Sequence, residues 1–564
     1  MLTDKSVKRT KAHISRSAIE RLYISMRHLF TRGAYKPLGV SGESMIEALR
    51  TLNPEIYGTI NDPEKVELNG LFYVFQRLPK GIEECRFIKL ISKEGFENSQ
   101  FEPIIPPKRR RNSYRIDTEE MHIEMTRGRS DIYDILTHLT FLYVESEKIR
   151  RNSEGSKGEK QREWKKLEEI VELESTGQDF NSEVAYTYLS TLLGRTYEDT
   201  VAACKRFAKD PNVNSIFHIT YWLGKISTEE HEKDICREIS FSSALRERIG
   251  HHHYGELWAD KIKTYLYEEE LLQRPIHIIS ANLHSVMNSL FGSVALNNKV
   301  DYDDIEDLAG KLSEDQYNRL RQQVHKVATK HGMHEIYDTS GTNIAVQIFD
   351  SSKFPLEKLA KELQVDPAHV RKNKPLILVM DYAFGEQAFE TLDELLKPFE
   401  TGNERIPLNV ESISIMGKAG ILQGGKGDIM VPTAHVMEGS GDNYPFINAF
   451  TSADFEGNGL GVYEGPMITV LGTSLQNKDI LRYFLKSSWR GIGLEMEGSH
   501  YQKAIQSASK IRKSISADVK LRYAYYASDN PLETGSTLAS GGLGRDGVKP
   551  TYLITLKILN DILS

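Results

Sequence analysis

Two glutamates and a methionine are the first residues whose types and spacing fit chemistry on a sugar. Glu495, Met496 and Glu497 follow an apolar, glycine-containing run at residues 491–494. In a strand, Glu495 and Glu497 point to the same face. A carboxylate can accept hydrogen bonds from both hydroxyls of a vicinal diol such as that of ribose. A strand end with solvated acids is the alternative interpretation, so this segment alone does not decide the function.

A single aspartate is the second candidate. The apolar run at residues 521–527 ends in Ser528, Asp529 and Asn530, and Pro531 follows. An aspartate at the carboxyl end of a strand lies where open α/β sheets bind their ligands. A turn chosen for its backbone conformation is the alternative interpretation.

A glycine-containing segment is the third candidate. The apolar run at residues 413–416 enters Gly417, Lys418, Ala419 and Gly420, which we interpret as a turn. Glycines let a substrate approach the backbone closely, and their amides can point at an anion or a sugar oxygen. Many α/β proteins contain such a turn, so it gains weight only together with the acidic segments.

Taken in order along the chain, these segments resemble the motifs of the nucleoside phosphorylase superfamily. The matching motifs are Gly417-Lys-Ala-Gly420, Gly427-Asp428, Glu495-Met-Glu-Gly498 and Ser528-Asp529-Asn-Pro531. They are most similar to those of AMP nucleosidase and other purine nucleosidases. An earlier segment, Gly385-Glu386-Gln387-Ala388, resembles the superfamily's first glycine loop on the ribose and phosphate side. The resemblance covers about residues 335–564 and does not extend to residues 1–330.

The resemblance implies a role for each matching residue. Asp529 would be the general acid that protonates N7 of a purine, and Ser528 and Asn530 would position the aspartate and the base. Glu497 would bind the 2′- and 3′-hydroxyls of the ribose, and Met496 would pack beneath the sugar. The remaining residues of the substrate site would be Glu495, Gly417, Lys418, Gly420 and Gly385.

The nucleophile is either water or phosphate. A phosphorylase normally holds phosphate with arginines. The positions that carry arginine in related phosphorylases are Ile415 and the segment at residues 385–390, which contains no arginine. We therefore expect a nucleosidase that uses water, with Asp350 and Glu386 as candidates for the group that activates it.

Two other functions remain open. The first is a purine nucleoside phosphorylase whose phosphate site is built from other cations, such as Lys418 and Lys353. The second is a nucleotide-binding sensor without turnover. The presence of both Glu497 and Asp529 favours an enzyme, because a protein that only binds its ligand does not need a general acid.

The identity of the 5′ substituent is also open. The run Gly541-Gly542-Leu543-Gly544 is followed by Arg545 and Lys549, and such a loop could hold a 5′-phosphate. A loop without a ligand is the alternative. Lys418 could likewise meet a phosphate or pair with a neighbouring acid. The substrate is therefore a purine nucleoside or a purine nucleotide.

The sequence pattern predicts two regions. A chain of 564 residues is too long to fold around a single hydrophobic core. Residues 335–564 alternate between strands and helices, which predicts an α/β phosphorylase-like domain with a mixed sheet flanked by helices. Residues 1–330 show helical periodicity, which predicts a mainly α-helical region with exposed segments at 101–115 and 150–166. The predicted helices include residues 19–30, 132–143, 184–193, 203–207, 276–290 and 356–362, and the predicted strands include residues 376–380.

Composition excludes several classes of protein. The chain has three widely spaced cysteines and a net charge of −7. No apolar run approaches the roughly 20 residues of a membrane span. These features argue against a disulfide framework, a structural zinc site, a nucleic-acid polymer as partner and a membrane protein. We expect a cytoplasmic enzyme without metal or cofactor, and the resemblance implies a homo-oligomer.

Two polar groups in the first region have weaker interpretations. The basic run Lys108-Arg109-Arg110-Arg111 predicts a solvated loop rather than a binding site for an acidic partner. Asp134 and His138 are four residues apart on a predicted helix, and such a pair can bind a metal. A surface or inter-domain hydrogen bond is the favoured interpretation of that pair.

Overall fold

The chain folds into two compact units. The computed structural model describes residues 10–233, 235–296, 299–402, 404–533 and 543–564. The first unit comprises Met1–His251 and Ser474–Ile480, and the second comprises His252–Thr473 and Leu481–Ser564. This division differs from the boundary predicted near residues 330–335. Residues 252–330 belong to the second unit because they contribute a strand to the middle of its sheet.

The first unit contains a mixed sheet as well as helices. Its strands, in the order β1-β5-β2-β4-β3, are β1 (Ala34–Tyr35), β2 (Phe87–Ile91), β3 (Ser113–Arg115), β4 (Glu120–Glu124) and β5 (Glu238–Phe241). Its helices are α1 (Lys11–Arg32), α2 (Val40–Leu52), α3 (Leu68–Phe75), α4 (Gly128–Ser153), α5 (Arg162–Ser175), α6 (Ser182–Leu193), α7 (Tyr197–Phe207), α8 (Ile216–Lys233) and α9 (Ser243–Gly250). The mainly helical prediction misses this sheet, because strands of two to five residues are too short to show a clear alternation.

The basic run at residues 108–111 is only in part a solvated loop, because Lys108 and Arg110 are exposed whereas Arg109 and Arg111 bind acidic side chains. The Arg111 side chain is almost fully buried, and its Nη2 donates to Asp131 Oδ1 at 2.7 Å and to Asp134 Oδ2 at 2.6 Å. Arg109 donates to both oxygens of Asp134, and His138 Nε2 lies 3.3 Å from Asp134 Oδ1. Asp134 and His138, predicted to form a surface or inter-domain hydrogen bond, therefore belong to a buried network with these arginines, in which each charge needs its partner because it is removed from water.

The second unit is an α/β structure with helices on both faces of a large mixed sheet. Its strands are β6 (Ile276–Ser280), β7 (Met333–Ile336), β8 (Val346–Asp350), β9 (Leu376–Met380), β10 (Phe399–Thr401), β11 (Glu404–Ile406), β12 (Val410–Ile421), β13 (Ile429–Met437), β14 (Asn443–Pro445), β15 (Val462–Thr469), β16 (Gly493–Glu495) and β17 (Lys520–Asp529). The helices that lie in this unit or enter it are α10 (His253–Glu268), α11 (Leu283–Leu296), α12 (Ile305–Leu312), α13 (Asn318–Lys330), α14 (Pro367–Asn373), α15 (Gln387–Leu395), α16 (Lys478–Lys486), α17 (Gly498–Gln506) and α18 (Val548–Leu563).

Strand β12 lies at the centre of the sheet. It is parallel to β6 and β17 and antiparallel to β16, and β6 is in turn parallel to β9. Strand β17 also pairs with β13, β13 pairs with β15, and β15 pairs with β16. Five strands, β12, β17, β13, β15 and β16, thus close into a ring, while β6, β9, β8 and β7 extend from β12 as an open sheet.

The central strands are buried on both faces. In β9, Leu376, Leu378 and Met380 belong to one hydrophobic core, and Ile377 and Val379 belong to the other. This alternation explains why β9 reads as a continuous apolar run, as is typical of parallel strands covered by helices. Among the described helices, none is both long and apolar enough to cross a membrane.

Two predicted helices differ in the structure. Residues 276–290 form β6 and then α11, and the side chain of Asn282 between them accepts a hydrogen bond from the Ser285 N–H at 2.8 Å. The β-branched sequence of β6 favours a strand, although its apolar residues also fit a helical pattern. Residues 356–362 form only the short 3₁₀ turn Leu356–Lys358.

The tight packing around β16 leads to a stability prediction. A Cβ atom added at Gly493 would lie 2.8 Å from the carbonyl oxygen of Gly420 and 2.4 Å from Met430 Sδ. We expect Gly493→Ala to lower the free energy of unfolding by about 1–3 kcal/mol through overpacking. The matched control is Gly310→Ala in α12, where the new methyl meets nothing within 4 Å. It should raise stability by about 0.5–1 kcal/mol. Urea denaturation of both variants measures the difference, and equal stabilities would contradict it.

Candidate active site

A cavity of about 250 Å³ lies in the second unit at the carboxyl ends of β6, β9, β12 and β17. Its walls combine tyrosine rings and apolar side chains with two glutamates, one lysine and two serines. The lining residues are Ser280, Tyr382, Ala383, Ile415, Met416, Gly417, Lys418, Ala419, Thr473, Leu494, Glu495, Met496, Glu497, Tyr501, Tyr525, Tyr526 and Ser528. Three motifs that are widely separated in sequence therefore meet at one cavity, in the position expected for a ligand site of an α/β sheet.

Glu497 is held at the cavity wall by backbone amides. It occupies the N-cap position of α17, and its Oε1 accepts a hydrogen bond from the Gly385 N–H at 2.9 Å. Its Oε2 accepts from the Met496 N–H at 3.3 Å. Gly385 has a φ of +57°, a left-handed conformation that glycine adopts without strain. The glycine loop suggested by the sequence is thus in contact with the carboxylate suggested to bind ribose.

Glu495 has a different environment from Glu497. Its Oε2 accepts hydrogen bonds from the backbone N–H groups of Glu497 and Gly498, and its Oε1 accepts one from the Thr469 hydroxyl. Burial and the nearby charge of Glu497 raise the pKa of Glu495 to about 8, although these hydrogen bonds oppose the shift. Because its oxygens are engaged at the first turn of α17, Glu495 positions Glu497 as well as lining the cavity.

Asp529 is the last residue of β17 and is almost fully buried. The Ser528 hydroxyl lies 2.6 Å from Asp529 Oδ1 and 3.1 Å from the Ala419 carbonyl oxygen. The other carboxyl oxygen, Oδ2, is buried and has no hydrogen-bond partner among the described residues. Burial raises the pKa of Asp529, while the Ser528 hydrogen bond and the charges of Lys418 and Lys426 oppose the rise. The group therefore has the raised pKa that a general acid requires.

Residues 417–420 are part of a strand and do not form a turn. Within β12, Gly417 pairs with Tyr525, Lys418 with Tyr526, and Gly420 with Asp529, and the register shifts between Ala419 and Gly420. Gly417 lies near the Tyr382 ring, with 3.5 Å between an added Cβ and Tyr382 Cε1. The Lys418 side chain is exposed at the rim of the cavity. The turn begins only after Ile421, and it contains Gly424 and Gly427 with positive φ.

Asn530 and Asp428 stabilise this turn. Asn530 Nδ2 donates to the Gly424 carbonyl at 3.2 Å, and Asn530 Oδ1 accepts from the Leu532 N–H. Asp428 accepts from the amides of Gly425 and Gly461, each at 2.8 Å. Asn530 thus fixes the backbone beside Asp529, and its described bonds are made to the backbone rather than to the aspartate.

Several residues suggested by the sequence are not part of the cavity lining: Asp529, Asn530, Gly420, Gly385, Arg545, Lys549, Asp350 and Glu386. Arg545 is exposed on the 3₁₀ turn Gly544–Gly547 and forms an ion pair with Glu314. Lys549 is in the first turn of α18, where its charge opposes the rise in the pKa of Glu306 that burial causes. Asp350 is paired with Arg274 at 2.7 Å. Glu386 immediately precedes α15, and its charge opposes the lowering of the pKa of His500 by burial. Gly541 and Gly542 fall outside the described residues.

The tyrosines of this cavity were not identified as site residues from the sequence. Tyr501 and Ser280 hydroxyls lie 2.9 Å apart, and Tyr525 lies 3.2 Å from Nε2 of the buried His435. Burial lowers the pKa of His435 to about 3, so its ring is neutral. The signal for these residues was the run of tyrosines just before Asp529. Ser280 could not be found while residues 276–290 were interpreted as a helix.

The fold and the site define an α/β protein with an acidic, tyrosine-lined cavity at the carboxyl ends of its strands. The chain belongs to the family described as "Family of unknown function (DUF6909)", which matches residues 43–307 and 309–564. No curated protein matches the chain.

Several solved structures of nucleosidases and hydrolases resemble about half of the chain. A 5′-methylthioadenosine/S-adenosyl homocysteine nucleosidase of Campylobacter jejuni is 10% identical, with a TM-score of 0.31, over 51% of this chain and 99% of that one. Futalosine hydrolase of Helicobacter pylori strain 26695 is 12% identical, with a TM-score of 0.29, over 51% and 98%. A nucleosidase from S. pneumoniae is 11% identical, with a TM-score of 0.30, over 51% and 100%.

The environment of Glu495 predicts a dependence of stability on pH. Between pH 4.5 and about 8 the folded chain holds a proton on Glu495 that the unfolded chain has released. This contribution to the free energy of unfolding therefore falls as the pH rises through that window. Glu495→Gln has no carboxyl group to titrate. Its free energy of unfolding should therefore fall less steeply than that of the wild type as the pH rises through this window.

Urea denaturation at several pH values measures this difference. Glu411→Gln, at an exposed position of β12, is the matched control and should keep the wild-type profile. Parallel profiles for the wild type and Glu495→Gln would show that Glu495 does not titrate in this window.

Proposed function

We propose that the second unit hydrolyses the N-glycosidic bond of a purine nucleoside, with Asp529 as the general acid and Glu497 as the ribose-binding group. The observation that carries the proposal is the buried Asp529 Oδ2, which has no partner among the described residues and belongs to a carboxyl of raised pKa. An unsatisfied buried carboxyl oxygen is costly. A purine N7 beside it would supply the missing partner.

The pairing of the strands allows an estimate of the distance between the backbone segments that carry the two carboxylates. Gly420 in β12 pairs with Asp529 on one side and with Leu494 on the other. Neighbouring strands are about 4.8 Å apart, so the backbones at Leu494 and Asp529 are separated by about 10 Å. Glu497 follows Leu494 by three residues. A base bound at Asp529 would place its attached ribose toward Glu497.

The proposed reaction begins with neutral Asp529. Its Oδ2 proton is transferred to N7 of the base while the C1′–N9 bond breaks, and the bonding electrons remain on the base. The oxygen of a water molecule then forms the new bond to C1′, and the proton that the water loses restores the acid. Glu497 would orient the sugar through its 2′- and 3′-hydroxyls, so that binding is coupled to the position of C1′. The products are the free base and ribose.

Water is favoured over phosphate as the nucleophile. Among the described residues that line the cavity, Lys418 is the one cation, and no arginine is present. A phosphate ion would need several charge-assisted hydrogen bonds to replace its hydration. The tyrosine and methionine side chains of the cavity offer few of them.

The same lining favours a nucleoside over a nucleotide. Arg545 is paired with Glu314, and Lys549 is absent from the cavity lining. The sequence of residues 534–542, between the described parts of this region, contains no basic residue. A 5′-phosphate would therefore depend on the exposed Lys418. A nucleotide substrate is the second candidate, and Lys418 at the cavity rim is the observation that favours it.

The proposed role of Asp529 predicts a loss of activity without a loss of folding. Asp529→Asn should lower kcat/KM for the best purine nucleoside by about 10²–10⁴-fold, because the amide cannot transfer a proton to the base. In the wild type, kcat/KM should fall as the pH rises through the raised pKa of Asp529, because the protonated form is active.

Steady-state rates of base release across a pH series provide the measurement. The matched control is Asp546→Asn, which removes the same charge at an exposed position and should keep wild-type rates. A wild-type rate in Asp529→Asn would remove Asp529 from the mechanism.

The position of Arg545 predicts that it does not select the substrate. Arg545→Ala should leave KM for both adenosine and AMP within about twofold of wild type, because its partner in the structure is Glu314. Lys418→Ala should raise KM for AMP more than KM for adenosine if any 5′-phosphate is bound. A selective rise of KM for AMP in Arg545→Ala would instead assign the 5′-phosphate to the loop before α18.

A further inference from the structure

A cavity in the first unit collects three arginines. It has a volume of about 290 Å³ and lies between α1, the start of α4 and α9. Its lining includes Arg27, Arg129 and Arg246, together with Phe30, Thr31 and Tyr133. Within the part of the chain that the structure describes, no aspartate or glutamate lines this cavity. The cavity is therefore strongly positive.

Neighbouring groups hold the three guanidinium groups in place. The Arg27 Cζ lies 5.5 Å from the centre of the Tyr23 ring, and the Arg129 Cζ lies 5.7 Å from the centre of the Phe30 ring. Both distances are within the range of cation–π contacts. Arg246 Nη1 donates to the Thr31 carbonyl at 3.4 Å. The arginines are thus oriented before a ligand arrives, which reduces the entropy lost on binding.

Arg246, which lines this cavity, has a donor without an acceptor among the described residues. Its Nε is buried and makes no hydrogen bond to any described residue. Its guanidinium lies against Gly33, where an added Cβ would be 3.2 Å from the Arg246 Cζ. Gly33 ends α1 with a φ of +89°, so a glycine at this position both closes the helix and leaves room for the arginine. A buried N–H donor without an acceptor is costly and indicates a missing partner.

The start of α4 adds to the positive potential. Arg129 and Tyr133 are the second and sixth residues of α4, which has 26 residues. Its N-cap residue, Arg127, makes no side-chain capping hydrogen bond. Because Arg129 and Tyr133 also line the cavity, the first two turns of α4 lie beside it, and the positive end of the helix dipole adds to the attraction for anions.

We propose that this cavity binds the phosphate group of a small ligand, at a site distinct from the catalytic cavity of the second unit. Three cations around one space repel each other, and a doubly charged oxyanion would offset that repulsion. Arginine matches phosphate because its planar fork donates two parallel hydrogen bonds. The volume is at the lower end of ligand cavities, which start near about 300 Å³, so the ligand is a small phosphate compound.

Isothermal titration of the full chain with inorganic pyrophosphate at low ionic strength tests this proposal. We expect saturable binding with one site per chain in the wild type. Arg246→Gln and Arg27→Gln should each weaken the affinity at least tenfold, because each removes a charged donor. Arg27 is exposed, so its variant also tests the site if Arg246→Gln fails to fold.

Two matched variants locate the binding site. Arg21→Gln removes the same charge from α1 at an exposed position that faces Glu47, and it should bind pyrophosphate as the wild type does. Asp529→Asn should also bind normally, because the proposed site does not use the catalytic cavity. The absence of saturable binding, or an equal loss in Arg21→Gln and Arg246→Gln, would overturn the proposal. So would wild-type affinity in both Arg27→Gln and Arg246→Gln.

Discussion

The backbone hydrogen bonds along both edges of β12 are the constraint on which the candidate active site depends. This strand of twelve residues is bonded to β6, β17 and β16. Its Gly420 is in register with Asp529 on one side and Leu494 on the other. Two acidic motifs that are more than thirty residues apart in sequence are therefore brought to one cavity. A shift of register by one residue would turn their side chains to the opposite face.

The three carboxyl groups of the site differ in their hydrogen-bond partners. Glu495 accepts bonds from the first turn of α17, and Glu497 accepts bonds from the amides of Gly385 and Met496. Among the described residues, Asp529 is bonded through one oxygen only. Because environment decides protonation, these differences fit the proposed roles of Glu495 as a positioning residue, Glu497 as an acceptor for hydroxyls and Asp529 as a proton donor. The proposed function thus gives different roles to acids that look equivalent in the sequence.

The sequence predicted those parts of the fold that depend on local pattern. Strand β9 was predicted at residues 376–380 because an apolar run bounded by Pro375 and Asp381 fits a buried strand. Residues 417–420 were predicted as a turn, since glycine favours turns locally, but pairing with β17 along the segment and with β16 at Gly420 keeps them in β12. Arg545 was suggested to hold a 5′-phosphate, but nothing in the sequence indicated its ion-pair partner Glu314, which is 231 residues earlier in the chain. Spacing along a sequence cannot reveal such partners. Tyr382 and Tyr501 reach the cavity only through the fold, whereas Tyr525 and Tyr526 stand in the run that ends at Asp529.

The most direct test of the proposed hydrolysis is the analysis of both products from purine nucleosides in phosphate-free buffer. Purified full chain is incubated with adenosine, inosine and methylthioadenosine, and the base and the sugar are quantified by liquid chromatography and mass spectrometry. The proposal predicts equal amounts of free base and of a sugar with a hydroxyl at C1, with no change when phosphate is added. A sugar 1-phosphate formed only in the presence of phosphate would contradict it and establish a phosphorylase. Tight binding of these nucleosides without any product would contradict it as well and favour a sensor.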